Sequence, residues 1–374
     1  MAQTNNPMPD LSALPPVSRR TIPISGIIVD FYGIEELAAD TESVSLLWLH
    51  HPRLRSRGDM AEIAARCVHA VNDAPKPGRK HGLVAAAFDQ RNHGSRLVSS
   101  RANKAWREGN TTHAQDMLGM IAGTVADQQL LLDLVDTYIH KDGDATYDDP
   151  VQAAEGLYYS NGALPSHIAV TQHLQLGVSL GGHSGWQLLF ADERVTAGVL
   201  IIGCPDYMDM MADRARLTKL PSYVAATESR PFFGSHDFST ALVDSCRKHD
   251  PKGIVFGLDT PAWPAPGTEE EERLHSTLKR HLTGKRLLVC SGGADKLVPY
   301  RCVDPFMSVF KKAADTWPDL SLTVINNIYD GIGHSFSSAM VQDAVEFVVE
   351  TVSAAPTSTS SASQSTGSPK TSKI

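Results

Sequence analysis

Buried strands alternate with amphipathic helices along most of this chain, and that alternation restricts the folds it can adopt. Short apolar runs rich in β-branched residues are predicted strands, and apolar residues spaced three or four apart predict helices. The strands fall at 21–24, 27–32, 44–49, 83–88, 168–178, 197–202, 286–290 and 322–325, and the helices at 60–71, 113–139, 186–190, 303–314 and 339–352. Parallel strands need crossover connections, which helices supply, so the prediction is an α/β protein with helices flanking a mostly parallel sheet.

The alternation breaks at two places, which sets the predicted organisation. Residues 205–285 carry methionines and aromatic residues but no convincing buried strand, so they are predicted to be a cap inserted into the sheet. Both a substrate-gating lid and a surface insertion with its own small core fit this segment. Residues 353–374 cannot bury enough apolar surface to offset the entropy of ordering, and are predicted to be a disordered Ser/Thr-rich tail. The core is then 21–204 and 286–352, after a flexible segment at 1–20.

Composition and charge exclude several classes of function. The chain has 34 Lys and Arg against 42 Asp and Glu, a net charge of −8, which argues against broad nucleic-acid binding. No uninterrupted apolar run approaches the roughly 18 residues of a membrane span, and no secretory leader is recognisable. The five cysteines are widely separated and indicate neither a disulfide framework nor a zinc site. We expect a soluble intracellular protein without metal or cofactor, of an oligomeric state that the sequence does not indicate.

The strongest chemical signal is a G-x-S-x-G sequence at 177–181, between a predicted strand and a predicted helix. A sharp strand-to-helix turn leaves no room for side chains beside a nucleophile, which explains the flanking glycines. The turn raises the Ser179 hydroxyl above the sheet and directs the helix N-terminus at a developing oxyanion. Ser184 competes, but Trp186 stands where its second glycine would be. Ser179 is the predicted nucleophile, and a glycine-rich turn with an unimportant serine is the alternative.

A serine hydroxyl needs a base, and the base needs a carboxylate that orients it. His334 follows the last predicted strand and two glycines, so it is the predicted base, although most histidines in a chain are structural. Asp295 lies just beyond the predicted strand at 286–290 and is the predicted acid. Asp330 is a rival because it is close to His334 in sequence, and Asp295 also fits a helix cap. Asp295 is preferred, since a neighbouring strand end approaches the imidazole from the side opposite the serine.

The order Ser, Asp, His and the surrounding motifs resemble the α/β-hydrolase-fold serine hydrolases, specifically fungal-type members. The resemblance runs from about 24 to 352 and is weaker in the cap; its further marks lie at 48–53, 89–94, 109–117 and 293–299. It implies an eight-stranded, mostly parallel sheet with a helical cap after the sixth strand. It also implies Ser179, Asp295 and His334 as nucleophile, acid and base.

The resemblance further implies an oxyanion hole made of two backbone N–H groups. The N–H of Leu180, directly after the nucleophile, is the first predicted donor. The second belongs to the loop after the third strand, where many members carry His-Gly and this chain has His50-His51-Pro52. Proline has no N–H to donate. His51 is therefore the predicted second donor, and Arg53 is the reserve.

Residues 89–94 contain Asp, Arg and His, and with His50 and His51 they suggest a metal site. No spacing among these residues resembles a metal-binding motif. A loop stiffened by an Asp–Arg pair below the active site is the favoured interpretation.

These signals predict a serine hydrolase that cleaves an ester, lactone or thioester of a fairly apolar small molecule through an acyl-enzyme, with secondary metabolism as a setting. A C–C bond hydrolase or peptidase with the same triad, and a non-catalytic small-molecule-binding protein, are the alternatives. Epoxide and haloalkane hydrolysis are disfavoured, because the relatives that perform them need a carboxylate at position 179.

The last three residues, Ser372-Lys373-Ile374, resemble the Ser-Lys-Leu peroxisomal address. Such tripeptides also arise by chance. Both recognition by a peroxisomal import receptor and a cytoplasmic location are compatible with the sequence.

Overall fold

The sheet has eight strands, as predicted, in a computed structural model that describes Met8 and residues 14–73, 80–141, 162–224 and 232–355. The strands are β1 (Arg19–Ile24), β2 (Ile27–Tyr32), β3 (Ser43–His50), β4 (His81–Phe88), β5 (Ala169–Val178), β6 (Val195–Ile201), β7 (Arg286–Gly292) and β8 (Thr323–Tyr329). Their order in the sheet is β1-β2-β4-β3-β5-β6-β7-β8. Only β2 runs against its two neighbours, and the other pairs are parallel. The predicted α/β-hydrolase fold is confirmed.

Helices connect the parallel strands on both faces of the sheet. Within the described ranges they are α1 (Ala61–Asn72), α2 (His113–Ile139), α3 (Leu180–Ala191), α4 (Tyr207–Thr218), α5 (Pro221–Val224), α6 (Thr240–His249), α7 (Pro251–Phe256), α8 (Glu269–Leu282), α9 (Asp304–Thr316) and α10 (Ser338–Ser353). Short 3-10 helices lie at Arg57–Met60, Gly94–Arg96, Trp106–Glu108, Tyr300–Cys302 and Pro318–Leu320. The helix predicted at 186–190 is longer than expected, because α3 starts directly after Ser179.

The two faces of the sheet bury separate apolar clusters, because successive residues of a strand point to opposite sides. In β3, Leu46 and Trp48 belong to the cluster that packs under α2, α3 and α4. Leu47 and Leu49 belong to the cluster under α1 and α10. Every residue of β3 and β4 is buried. The central strands are thus covered on both faces. Their carboxyl ends remain as the places where polar groups can meet a substrate.

Helix α2 is long and apolar enough to cross a membrane by length and composition, with a mean hydropathy of 1.2 over its most apolar window. In the structure, 61% of that window is buried inside the protein. Its residues Leu118, Ile121 and Leu131 pack in the cluster on one face of the sheet. The composition and the burial of α2 are both those of a core helix.

Helices α4 to α8 lie between β6 and β7, as expected for a cap after the sixth strand. The described residues of 205–285 contain no strand. The cap side chains serve two purposes: Met210 and Met211 are buried in the core, whereas Met208 and Phe233 line a cavity of about 490 Å³. The exact segment boundaries, and the question of a lid or a plain insertion, stay predictions. The tail after 355 lies outside the described residues.

Arg57 joins the antiparallel edge of the sheet to the loop after β4. Its Nε donates to Asp30 Oδ2 at 3.0 Å and its Nη1 to Asp89 Oδ2 at 2.7 Å. Both carboxylates are only 1% exposed. Burial alone would raise the pKa of Asp89, but hydrogen bonds from Arg57 and Ser95 outweigh it and hold that pKa below its usual range. One guanidinium therefore pairs with two buried acids, and Arg19 lies 4.0 Å from Asp30 as a second cation.

Replacing Arg57 by Met should lower the free energy of unfolding by about 3–5 kcal/mol, because it leaves buried Asp89 without its guanidinium and Asp30 with only the more distant Arg19. Urea denaturation at neutral pH measures this change. Arg55→Met is the matched control, since Arg55 makes only a half-exposed pair with Asp59 at 3.7 Å and should cost less than about 1 kcal/mol. Equal losses in the two variants would contradict the assigned role of Arg57.

Candidate active site

Ser179 occupies a sharp turn between β5 and α3. Its backbone has φ 55° and ψ −109°, a conformation that non-glycine residues rarely adopt. Such a conformation costs free energy and persists only where neighbouring residues enforce it. The neighbours are close: a Cβ at Gly177 would overlap the carbonyl of Gly181, and a Cβ at Gly181 would overlap the carbonyl of His50. The glycines predicted to be needed for clearance are therefore required by backbone contacts. The end of β3 presses directly on this turn.

A continuous hydrogen-bonded chain links the three predicted catalytic side chains. Ser179 Oγ lies 2.8 Å from His334 Nε2, and His334 Nδ1 lies 2.8 Å from Asp295 Oδ2. A carboxylate only accepts, so Nδ1 carries the proton and Nε2 accepts from the serine hydroxyl. The Asp295 carboxylate is fully buried, whereas the His334 side chain is 17% exposed. A chain of hydrogen bonds with this geometry can activate a serine hydroxyl as a nucleophile.

The loops after β7 and β8 hold the acid and the base in register. Asp295 Oδ1 accepts hydrogen bonds from the N–H groups of Leu297 at 2.8 Å and Val298 at 3.0 Å. Ala294 N–H donates to Ile332 O at 2.8 Å, which joins the two loops. The carboxylate is thus fixed by its own loop and has one oxygen left for His334. This fixation restricts the rotation of the imidazole.

The two rivals that the sequence offered do not enter this chain of hydrogen bonds. Asp330 is exposed, and no contact with His334 is seen within the part of the chain that the structure covers. Ser184 is buried in α3, where its Oγ donates to Gln90 Oε1 at 2.9 Å and lies 3.1 Å from Leu180 O. Asp295 and Ser179 are therefore the residues that the fold brings to His334.

The predicted oxyanion donors lie on both sides of the nucleophile turn. Leu180 is the first residue of α3, where helix geometry gives an N–H no partner within the helix. His51 follows β3, and its ring is already engaged: Nε2 accepts from Gln90 N at 3.0 Å and Nδ1 lies 2.8 Å from Pro52 O. Burial lowers the pKa of His51 to about 4, so the ring is neutral at pH 7. The use of its backbone N–H in an oxyanion hole stays a prediction.

The loop at 89–94 is stiffened by Asp–Arg pairs that join it to other segments of the chain. Asp89 pairs with Arg57 and not with Arg91, whose Nη2 instead lies 3.0 Å from Asp127 Oδ1. His50 is held by Gln128 at 3.1 Å, and burial lowers its pKa to about 4. Among the residues that the structure describes, no group of histidine, cysteine and acidic side chains is arranged to hold a metal ion.

Sequence reasoning missed one charged residue beside the site. Arg214 of α4 donates to Leu297 O at 3.2 Å, two residues after Asp295. Nothing in the pattern of the cap separates this arginine from the others, because the contact depends on how the cap packs on the loop after β7.

Known solved structures resemble this chain distantly. TT1662 from Thermus thermophilus is 14% identical with a TM-score of 0.48, and the match covers 91% of this chain and 99% of that one. Est1E from Butyrivibrio proteoclasticus is 13% identical with a TM-score of 0.40, covering 89% and 97%. An acylaminoacyl peptidase from Pyrococcus horikoshii is 11% identical with a TM-score of 0.45, covering 91% of this chain and 41% of the peptidase. No protein-family model and no curated protein sequence matches the chain.

Gly181→Ala tests how tightly the turn at Ser179 is enclosed. The new methyl group would overlap the His50 carbonyl, so we expect the free energy of unfolding to fall by about 1–3 kcal/mol. Gly119→Ala, in an open position of α2, is the control and should stabilise the helix by up to about 1 kcal/mol. Urea denaturation compares the two. If the variant at 181 proved as stable as the one at 119, the close contact with β3 would be refuted.

Proposed function

We propose that this protein is a serine hydrolase with Ser179 as nucleophile, His334 as base and Asp295 as the acid that orients the base. The observation that carries the proposal is the hydrogen-bonded chain Ser179–His334–Asp295, with both distances at 2.8 Å. The strained backbone of the serine supports it, since such strain is concentrated at functional sites. The same elements also bring helix α3 to the side where negative charge would develop.

The proposed reaction has two steps. Ser179 Oγ bonds to the carbonyl carbon of the substrate while its proton moves to His334 Nε2, and the carbonyl oxygen becomes an oxyanion. Collapse of this intermediate breaks the bond to the leaving group, which takes the proton from Nε2. Water then adds to the acyl-enzyme in the same manner, and the acid and free Ser179 are released. Asp295 stabilises the imidazolium that forms in each step.

The backbone N–H groups of Leu180 and His51 are proposed to bind the oxyanion. Leu180 is supported by its position at the start of α3, where the helix also places its positive end. His51 is supported by the contact between the end of β3 and the nucleophile turn.

We propose an ester, lactone or thioester of a small, fairly apolar molecule as the substrate class, in a fungal-type member of the superfamily with a setting in secondary metabolism. The methionines and aromatic side chains of the cap support an apolar pocket. A C–C bond hydrolase or peptidase would use the same triad. A panel of 4-nitrophenyl esters, lactones and acyl-CoA thioesters separates these classes by which bond is broken.

The location is also a proposal. Residues 372–374 lie outside the described residues, and their likeness to a peroxisomal address supports import by a peroxisomal receptor, with the cytoplasm as the alternative.

A fluorophosphonate should label the protein once, at Ser179, because its activated oxygen displaces fluoride from phosphorus. Intact mass and peptide mapping identify the site. Ser179→Ala should abolish labelling, whereas Ser184→Ala, which changes the neighbouring serine of α3, should retain it. Absence of any label on the folded protein would favour the alternative of a non-catalytic binding protein.

Asp295→Asn should lower kcat for a hydrolysed ester by about 10³- to 10⁴-fold, because an amide no longer holds His334 in the tautomer that accepts the serine proton. Asp330→Asn is the matched control and should leave kcat within about twofold, since this exposed side chain is not bonded to His334. Steady-state kinetics on one 4-nitrophenyl ester gives both values. A larger loss at 330 than at 295 would reverse the assignment of the acid.

A further inference from the structure

Two arginines near the candidate triad have no acidic partner. Arg53 donates from Nη1 to the backbone oxygen of Asn103 at 2.6 Å. Arg214 donates to the backbone oxygen of Leu297 at 3.2 Å and lies 3.1 Å from the sulfur of Met117. Among the described residues, no carboxylate oxygen lies within 4 Å of either guanidinium. Both side chains are half-buried, so each is reachable from the solvent.

Two buried arginines of this protein lie beside acids. Arg57 pairs with Asp30 and Asp89, and Arg19 lies 4.0 Å from Asp30. Removing a charge from water without an opposite charge costs free energy, and proteins normally avoid it. Stability alone therefore does not explain why Arg53 and Arg214 have no carboxylate partner.

Arg214 touches the machinery of the candidate site through the acid loop. The oxygen that it contacts belongs to Leu297, and the N–H of the same residue binds Asp295. Its positive charge also helps to lower the pKa of His183, next to burial, which is the main cause. His183 stands in the first turn of α3 and donates its N–H to Ser179 O at 3.0 Å. Arg214 is therefore adjacent to the loop of the acid and to the helix of the nucleophile.

Arg53 also lies near the nucleophile turn, in the loop after β3. It lies three residues after His50, whose carbonyl packs on Gly181 in the nucleophile turn. Burial and, after it, the positive charge of Arg53 lower the pKa of Arg214 to about 10. The positive charges of the two guanidinium groups thus repel each other.

His113 is a neighbour of Arg214 that also feels the charge of Arg53. Its Nε2 lies 3.5 Å from Arg214 Nη1. Burial, then the charges of Arg214 and Arg53, lower the pKa of His113 to about 2, so the ring stays neutral. It accepts a hydrogen bond but adds no negative charge. No described carboxylate contacts either guanidinium, and the charges of Asp295 on Arg214 and of Glu108 on Arg53 act from a greater distance.

We propose that Arg53 and Arg214 bind an anionic group of the substrate, a carboxylate or a phosphate, beside the carbonyl that Ser179 attacks. Guanidinium groups offer several planar donors that fit both anions, and their charge-assisted hydrogen bonds are strong. The proposal rests on the proposed hydrolase function and narrows its substrate class. The substrate then has an apolar part that fits the cap and a charged end that the two arginines hold.

Two pairs of matched substrates test this and distinguish the two anions. Mono-4-nitrophenyl adipate carries a carboxylate on its acyl chain, and 4-nitrophenyl hexanoate is its neutral match. Hexanoyl-CoA carries phosphates on the leaving group, and the hexanoyl thioester of N-acetylcysteamine is its neutral match. We expect kcat/KM to be about tenfold or more higher for the anionic member of one pair. No preference in either pair would overturn the proposal.

Arg53→Met and Arg214→Met should each reduce that preference by about tenfold or more, because the charge-assisted hydrogen bonds are lost. The ratio of the two kcat/KM values is the readout, since a general disturbance of the site lowers both members alike. Arg55→Met and Arg216→Met are the controls; Arg55 pairs with Asp59, and Arg216 pairs with Asp213 on the outside of α4. A preference that survives both changes would overturn the proposal.

A binding measurement separates this proposal from the hydrolase proposal. In the Ser179→Ala protein, adipate or CoA should raise the melting temperature, adipamide should not, and Arg214→Met added to it should remove the effect. This outcome supports an anion site even if no ester is cleaved and no fluorophosphonate label forms. Equal shifts with adipate and adipamide, together with no shift by CoA, would refute the anion site while leaving the hydrolase proposal to its own test.

The stability of Arg214→Met without ligand checks that the residue is kept for binding. An arginine that holds the fold together would cost stability when removed, as we expect for Arg57. We expect the melting temperature of Arg214→Met to equal or exceed that of the wild type, because an unpaired desolvated charge is lost. A clear drop would mean a structural role and would count against the proposal.

Discussion

The contact between the end of β3 and the turn at Ser179 is the constraint on which the rest of the site depends. The carbonyl of His50 lies where a side chain at 181 would be, so only glycine lets the two elements approach. This approach holds Ser179 in its strained conformation and starts α3 directly after it. The hydroxyl then has one direction, towards the loops after β7 and β8. His334, held by Asp295, contacts the Ser179 hydroxyl only because the hydroxyl points in that direction.

Sequence patterns predicted the fold well where periodicity and burial act together. Helix α2 has the predicted bounds, 113–139, because its apolar face is long and uninterrupted. Helix α3 begins six residues before the predicted start, because its early glycines have poor helix propensity and are selected by close packing. Strand β8 continues to Tyr329, beyond the predicted end at 325. Its polar residues Asn326 and Asn327 bond to Tyr300 and Asp343, partners that no local pattern reveals.

The candidate site shows the same division. The motif at 177–181 and the order of three residues identified the side chains that meet, since parallel strands end at one edge of the sheet. The partner of Asp89 and the place of Arg214 were not predictable, because both depend on contacts between segments far apart in sequence. Charge pairing over such distances follows from the packed structure and not from spacing. For this reason the polar residues around the triad are harder to predict from the sequence than the triad itself.

The desolvated arginines Arg57, Arg53 and Arg214 differ in the groups that surround them. Arg57 is surrounded by acids and belongs to the folded framework. Arg53 and Arg214 are surrounded by backbone oxygens, methionine sulfur and a neutral imidazole. These partners satisfy the N–H groups without cancelling the charge. In the proposal made above, an anionic group of the substrate supplies the opposite charge.

The hydrogen bond between Ser179 and His334 spans 155 residues of chain. Contacts of such long range slow folding, since a large loop must close before they form. The base is carried by the loop after β8, at the edge of the sheet, while the nucleophile is carried by β5 near its centre. A newly synthesised chain thus forms the contact between Ser179 and His334 only when its last strand has docked, and in our proposal a truncated product has no means of activating the serine.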